Sequence, residues 1–487
     1  MHELAKYVAH GAFHDSSVRY PPPKCHPGTR EKVLRRIKDW IEEGTSRILW
    51  LFGSAGVGKS AIAQTIAEHC LANDKLGAAF FFRGGDPHRN DADRLFPTLA
   101  WQLMSSVPEI EVHISASMKK DPFLPTRSIQ TQFEQLIAKP FRLAAGNNSP
   151  LRTSGIVIID GVDECAGETT QQCFLSLLGS AVDNGGLPLR LLICSRPEPH
   201  VRETFDHSIS VSVTLRIVLN DERDSDDDIR RYLVQEFSRI SMERGIASHT
   251  WPPEGAIDRL VQNSSGQFIY AATVVKFVGD KYAYPSNQLE IIFKIRRRTN
   301  NSSPFVDLDQ LYLEILVRQP DQDFLKTFLK FLCLPIDDNS GRFELIRILF
   351  NMQREEFLAK IRGLHSLLVI SVVSSCNIEA HPYHASFLDF LRDQERACQY
   401  HSDGVLGSRN FVDLFLKALI KYASSMWQPR YVLCIHEDMR QYQYFSASFH
   451  TRTISISSCI TGYVLSHGYL SALLWTNGNK CLLRFRF

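Results

Sequence analysis

The sequence predicts an α/β fold, a parallel sheet flanked by helices, on three observations. An apolar run, Arg47-Ile48-Leu49-Trp50-Leu51-Phe52, leads into a glycine-rich loop and then into a stretch of helical periodicity. Four consecutive β-branched residues, Ile156 to Ile159, end on Asp160. A third apolar run, Leu189-Arg190-Leu191-Leu192-Ile193-Cys194-Ser195, ends on Arg196 and Pro197. Runs of this kind are how strands buried on both faces of a parallel sheet read.

The loop after the first run is Gly53-Ser54-Ala55-Gly56-Val57-Gly58-Lys59-Ser60, which matches G-x-x-x-x-G-K-[ST]. In the segment that follows, Ile62, Ile66 and Cys70 recur every four residues and give a helix one apolar face. Strand, loop and helix therefore stand in the order that a P-loop NTPase requires. Gly53, Gly56 and Gly58 permit backbone turns that a side chain forbids, so that N–H groups converge on one concavity that suits an anion. The helix N-terminus adds its positive end. Lys59 is placed to reach the β- and γ-phosphates of a bound triphosphate, and the Ser60 hydroxyl to coordinate Mg²⁺.

The second strand supplies Asp160 at its end, the position from which a carboxylate meets Mg²⁺, usually through water. Asp163 and Glu164 follow, and either can orient or deprotonate an attacking water. Arg196 falls at the same carboxyl edge, where ligands of open α/β sheets gather, and can sense a γ-phosphate; a surface arginine at a strand end has the same spacing. Further strands are expected within Gly77–Arg83 and Ile209–Leu219, and a helix over Arg94–Met104. The long separation of Lys59 from Asp160 leaves room for an extra strand between theirs in the sheet.

The rest of the chain is less explicit. Asn220 to Asp228 reads as a solvated acidic linker leading into a helix N-terminus, and Asp228 to Asp280 as helical. Helical runs recur between Asp307 and Arg392, among them Phe324–Leu332 and Glu355–Leu364; Leu367–Val373 and Ile378–His381 are strand candidates. Ile454 to Trp475 is long enough to span a bilayer, but its serines and threonines, with Gly462, His467 and Gly468, favour a poorly packed or disordered tail over a membrane segment.

The 487 residues are a prior for about three domains. A formal charge of +2 sets up no global field toward nucleic acid or an acidic membrane. The 11 cysteines are odd in number and form no C-x-x-C pair, which disfavours a disulfide framework or zinc site. Free thiols and a start lacking an apolar stretch point to the cytoplasm.

Taken together, the three motifs resemble the NACHT family of signal-transducing P-loop ATPases, within the STAND class. The resemblance is specific where the small residue Gly161 follows Asp160, with acidic residues at 163 and 164. Cys25-His26-Pro27-Gly28-Thr29-Arg30, Ala61 to Ala67 and Ser195-Arg196-Pro197-Glu198-Pro199-His200 are similar to NACHT proteins abundant in mushroom-forming fungi, relatives of NOD-like receptors. It covers roughly residues 10 to 395, most strongly 25 to 205.

The resemblance implies a nucleotide domain over 25–220 behind an N-terminal segment 1–24, a helical lid over 221–300, a winged-helix-like domain over 301–395, and an uncharacterised tail 396–487. It implies ATP (or GTP) with Mg²⁺, ATP being favoured because no N-K-x-D motif occurs. Thr29 and Arg30, with Pro27 and Gly28, are expected to border the nucleotide, and His384 to contact the bound diphosphate, although an ordinary buried or surface histidine fits its position equally. The implied activity is slow ATP hydrolysis serving a conformational switch, with homo-oligomerisation through the nucleotide domain, an unknown effector protein and no nucleic acid. No effector domain precedes residue 20 and no repeat of 20–50-residue period is visible, so the chain reads as the switch without its usual input and output. A turnover ATPase or kinase, or a nucleotide-binding remnant, is the alternative.

Overall fold

Five short apolar runs form strands because β-branched and aromatic residues pack well on a pleated surface covered from both sides. In the computed structural model they are β1 (Ile48–Phe52), β2 (Leu76–Phe81), β3 (Ile156–Asp160), β4 (Arg190–Ser195) and β5 (Thr214–Val218). The structure describes residues 2–145, 155–209, 213–219, 222–246, 251–295, 305–333, 342–374 and 377–402, with 463–466, 469–476 and 479–486. It divides into two compact units, Met1–Val275 and Lys276–Phe487.

In the first unit the sheet order is β2-β3-β4-β1-β5, with every pair parallel. The expected extra strand between β1 and β3 is β4, the strand that ends before Arg196. Register fixes what shares the carboxyl edge: Phe52 pairs with Ser195, Asp160 with Cys194, and Phe81 with Asp160.

Helices cover both faces. α1 (His2–Ala5), α4 (Leu95–Ser106), α5 to α7 (Glu111–Lys120, Ile129–Phe133, Lys139–Ala145), α8 (Glu168–Asp183) and α9 (Pro199–Glu203) belong to one side; α2 (Glu31–Glu43) and α3 (Lys59–Ala72) cover the other. Side chains alternate along each strand, so Trp50, Phe80 and Ile159 enter the first core and Leu51, Phe81 and Ile158 the second. The N-terminal residues are part of this packing. Leu4, Ala9 and Ala12 are buried in the first core, and the Ala9 N–H donates to Thr98 Oγ1 at 2.9 Å.

Beyond β5 the unit continues with α10 (Glu222–Arg244), α11 (Ala256–Ser264) and the start of α12 (Phe268–Val278), as the helical reading of 228–280 expects. The acidic stretch differs from expectation. α10 begins at Glu222, so most of the run read as a linker is the first turns of a helix, where carboxylates are stabilised by the positive end of the dipole.

The second unit holds α13 (Pro285–Lys294), α14 (Val306–Val317), α15 (Gln322–Leu332), α16 (Arg342–Leu349) and α17 (Arg354–Ile361). They precede an antiparallel pair, β6 (Leu368–Ser374) with β7 (Asn377–Pro382), as the two strand candidates anticipate. α18 (Ala385–Arg392) and α19 (Gln394–Ala397) follow. Phe324, Phe328, Phe343 and Phe357 pack ring against ring there, and Arg396 makes a bidentate pair with Asp309 at 2.8 and 2.9 Å.

Of the tail expected to be poorly packed or disordered, residues 403–462 lie outside the described residues. β8 (Tyr463–Ser466), β9 (Tyr469–Thr476) and β10 (Asn479–Arg486) form an antiparallel sheet of order β10-β9-β8. The candidate span from Ile454 therefore overlaps β8 and β9, and its first part, 454–462, lies outside the described residues. Among the described residues, no helix is long and apolar enough to cross a membrane.

Candidate functional site

β1 ends at Phe52 and α3 begins at Lys59, so the loop 53–60 stands at the carboxyl edge of the sheet, two strands from Asp160. Gly56 (φ 79°) and Gly58 (φ 99°) take left-handed backbone conformations. Gly56 also has no room for a side chain, since a Cβ there would lie 2.3 Å from Ile269 Cγ2. Lys59 Nζ donates to the carbonyls of Gly53 and Ser54 at 2.8 and 2.9 Å, and burial lowers its pKa. The loop thus holds its own lysine within its concavity.

Asp160 is 3% exposed. The Ser60 hydroxyl favours the charged form of its carboxylate, while Oδ1 is buried with no hydrogen-bond partner among the described residues. Burial raises the Asp160 pKa; Ser60, Arg19 and Lys59 oppose that shift. An orphaned carboxylate oxygen beside a hydroxyl is the donor set a hard divalent cation takes, so Ser60 and Asp160 fit Mg²⁺. A bound ion there would neutralise charge between β- and γ-phosphate oxygens.

The turn after β3 brings the other candidates together. Gly161 is left-handed (φ 72°), and its N–H donates to Cys194 O at 3.0 Å. Asp163 is committed to Arg196: Oδ1 accepts the Arg196 backbone N–H at 2.8 Å, and Oδ2 lies 3.1 Å from Nε. Glu164 Oε2 accepts from the Gly84 N–H at 2.8 Å. Burial, and then the neighbouring Asp163 charge, push the Glu164 pKa up to about 7. Sequence spacing left Asp163 and Glu164 equivalent; their partners distinguish them.

Arg30 and Thr29 are both buried. Thr29 Oγ1 donates to His26 O at 2.7 Å, closing the turn before α2. Arg30 itself is left-handed (φ 58°), and its N–H donates to Asp228 Oδ2 at 2.9 Å. Its guanidinium donates to Val57 O at 2.7 Å and Ser225 Oγ at 3.0 Å, and lies 4.9 Å from the centre of the Phe268 ring. Beside it, the Ile269 N–H donates to Gly56 O at 3.2 Å. Arg30 therefore reaches the loop's backbone, and two successive loop carbonyls are held by residues outside the motif.

His384 lies in the second unit, where it caps α18: its Nδ1 accepts the Ser386 N–H at 3.1 Å and lies 2.8 Å from Ser386 Oγ. Nδ1 acting as acceptor puts the ring proton on Nε2 of the neutral imidazole. Ser386 Oγ in turn meets Tyr312 OH at 3.0 Å.

Sequence reasoning missed Arg19. It is 8% exposed, with Nη1 donating to Phe13 O (3.1 Å), His14 O (3.1 Å) and Gln64 Oε1 (2.8 Å). Its guanidinium carbon lies 3.6 Å from the centre of the Phe81 ring. Gln64, on the buried face of α3, was the one available signal: a polar residue between Ile62 and Ile66 needs a buried partner.

The family described as Nephrocystin 3, N-terminal matches residues 28–196, less than half of the chain. No curated protein sequence matches. Among solved structures, the chain is similar to a signal transduction ATPase with numerous domains (STAND) with a tetratricopeptide repeat sensor from Pyrococcus horikoshii, at 14% identity and TM-score 0.38. That likeness covers 85% of this chain and 50% of the other, so the chain spans about half the length of that relative. It is also similar to the Aeropyrum pernix ORC1 protein in complex with DNA, at 15% identity over 78% of this chain and 94% of that one, TM-score 0.33. AMPPCP-bound DnaA from Aquifex aeolicus shares 12% identity over 74% of this chain and 91% of that one, TM-score 0.30. These are distant likenesses, and the functional reading rests on the motif geometry instead.

Proposed function

We propose that this chain is an ATP-binding, signal-transducing NTPase of the NACHT type, in which the bound nucleotide sets a conformational state. The observation that carries this reading is the double hold on the phosphate loop. Ile269 fixes the Gly56 carbonyl and Arg30 the Val57 carbonyl, and Arg30 is tied to Ser225 and Asp228 of α10. A ligand that rearranges the loop therefore acts directly on the helices after the sheet. It biases them only by its differential affinity for the two arrangements.

In this reading the loop N–H groups and Lys59 hold the phosphates of ATP (or GTP), and Ser60 and Asp160 hold Mg²⁺. Glu164, poised near neutrality, takes the proton of the attacking water. Arg196 senses the γ-phosphate and Asp163 orients it. Thr29 and Arg30 border the nucleotide from the α2 side. We take the domains to be a nucleotide domain over 25–220, a helical lid over 221–300 and a winged-helix-like domain over 301–395. The biological setting we infer is fungal self/non-self recognition of the NOD-like receptor type, with ATP-dependent homo-oligomerisation and a protein effector.

The test uses the purified full chain, with hydrolysis and molecular size followed together. Hydrolysis is expected on the order of 10⁻² s⁻¹ or slower, as in switch NTPases, with assembly that depends on ATP. Rapid multiple turnover at constant size would replace the switch with a turnover ATPase or kinase.

A further inference from the structure

Asp160 is a buried carboxylate at the carboxyl end of β3, and the nearby Lys59 is hydrogen-bonded to loop carbonyls. Its counter-charge comes from elsewhere. Phe81 and Asp160 are register partners in parallel strands, so their side chains leave the same face of the sheet. That face is the one α3 covers, since Phe81 packs with Ile62 and Ile66. The Arg19 guanidinium lies over the Phe81 ring on this face, 3.6 Å from its centre. It is therefore a neighbour of the Asp160 carboxylate.

The guanidinium is held there from two directions. The Phe13 and His14 carbonyls and Gln64 Oε1 accept from Nη1. Gln64 is 1% exposed, and its Nε2 donates back to His14 O at 3.0 Å. A planar, always-charged group fixed by its neighbours loses little conformational freedom in this role. The electrostatics agree: Asp160 is the charge that acts most strongly on Arg19, and Arg19 acts on Asp160 ahead of Lys59.

We infer that Arg19 is a positioning residue of the nucleotide site: contributed by the segment before α2, it balances the Asp160 charge when no metal is bound and keeps Lys59 available to phosphate. This rests on the reading of Ser60 and Asp160 as the metal side of a nucleotide site. It gives the N-terminal segment a part in that site. Arg19 also works against the metal, because a fixed cation beside Asp160 repels Mg²⁺ while attracting phosphate. Its removal therefore weakens metal-free nucleotide binding far more than metal-bound binding.

The experiment measures binding of a fluorescent ATP analogue to the full chain, in EDTA and in saturating Mg²⁺, for wild type, Arg19→Gln and Arg19→Lys. Arg19→Gln is expected to bind about tenfold more weakly in EDTA and within about threefold of wild type in Mg²⁺, a loss in keeping with one charge interaction at a partly buried site. Arg19→Lys, which keeps the charge without the planar fork, should recover most of the loss. A purely structural role predicts equal losses with and without metal, and that result, or no loss in EDTA, overturns the inference. Should Arg19→Gln not fold, Gln64→Leu, which removes the side chain that fixes the guanidinium, carries the same comparison, with a loss confined to EDTA. Failure of wild type to bind the analogue under either condition would overturn the nucleotide reading itself.

Discussion

The phosphate loop has one side written in two short motifs and another borrowed from distant parts of the chain. On the first, Ser60 meets Asp160, and Lys59 folds back on the Gly53 and Ser54 carbonyls. On the second, the Gly56 and Val57 carbonyls are held by Ile269 and Arg30, and Arg30 is anchored 195 and 198 residues away on Ser225 and Asp228. The motif side is equipped to bind; the borrowed side is equipped to report binding. A kinase needs only the first.

If that division holds, substitutions should separate affinity from coupling. The largest effect is expected for Lys59→Ala, which removes the buried cation of the motif side and should weaken nucleotide binding at least about 100-fold by titration calorimetry. Glu164→Gln should leave binding nearly intact and slow hydrolysis about 100-fold. The Glu164 pKa of about 7 gives the sign with pH. Wild-type hydrolysis should rise as pH increases through 7, where the base deprotonates, and the Gln variant should lose that rise. Stability runs the other way. A carboxyl whose pKa is raised on folding holds extra protons in the native state between about pH 4.5 and 7, so the nucleotide-free chain loses stability across that window; Glu164→Gln should flatten the loss in thermal melts at stepped pH.

On the borrowed side the effects are smaller and of a different kind. Arg30→Ala deletes two side-chain hydrogen bonds from a charged donor and should cost about 2–3 kcal/mol of stability. Faster release of bound nucleotide in stopped-flow displacement would accompany it. Unchanged release with lower stability would reduce Arg30 to a structural brace. Gly56→Ala adds a Cβ at a left-handed position against Ile269, at a cost of roughly 1–2 kcal/mol for the conformation alone. Hydrogen exchange should then rise in 268–275 while the Ser60–Asp160 side stays protected. Equal deprotection of both would mean the two sides are not separable.

The same division explains what could be read from sequence. All five strands of the sheet and α3 were legible, because each is a continuous run whose pattern is set by its own residues. The pairing of Asp163 with Arg196 was not, since it joins turns 33 residues apart. Arg19 lies in a polar stretch with no periodicity, and only the packing of that stretch against α3 and β2 gives it a role. The α10 start at Glu222 was hidden because an acidic run looks the same as a solvated linker or a helix first turn. The strands of 463–486 carry tyrosine, valine, leucine and tryptophan runs broken at Gly468 and at Asn477-Gly478, a local signal that reading the segment for bilayer length overlooks.

The central claim is that the loop 53–60 holds a nucleoside triphosphate or its diphosphate product. The most direct measurement is the nucleotide content of the purified full chain after denaturation, read by ion-exchange chromatography beside Lys59→Ala prepared identically. Stoichiometric adenine nucleotide on wild type and none on the variant is the predicted result. No nucleotide retained by wild type, and none bound when millimolar ATP is supplied, would contradict the account.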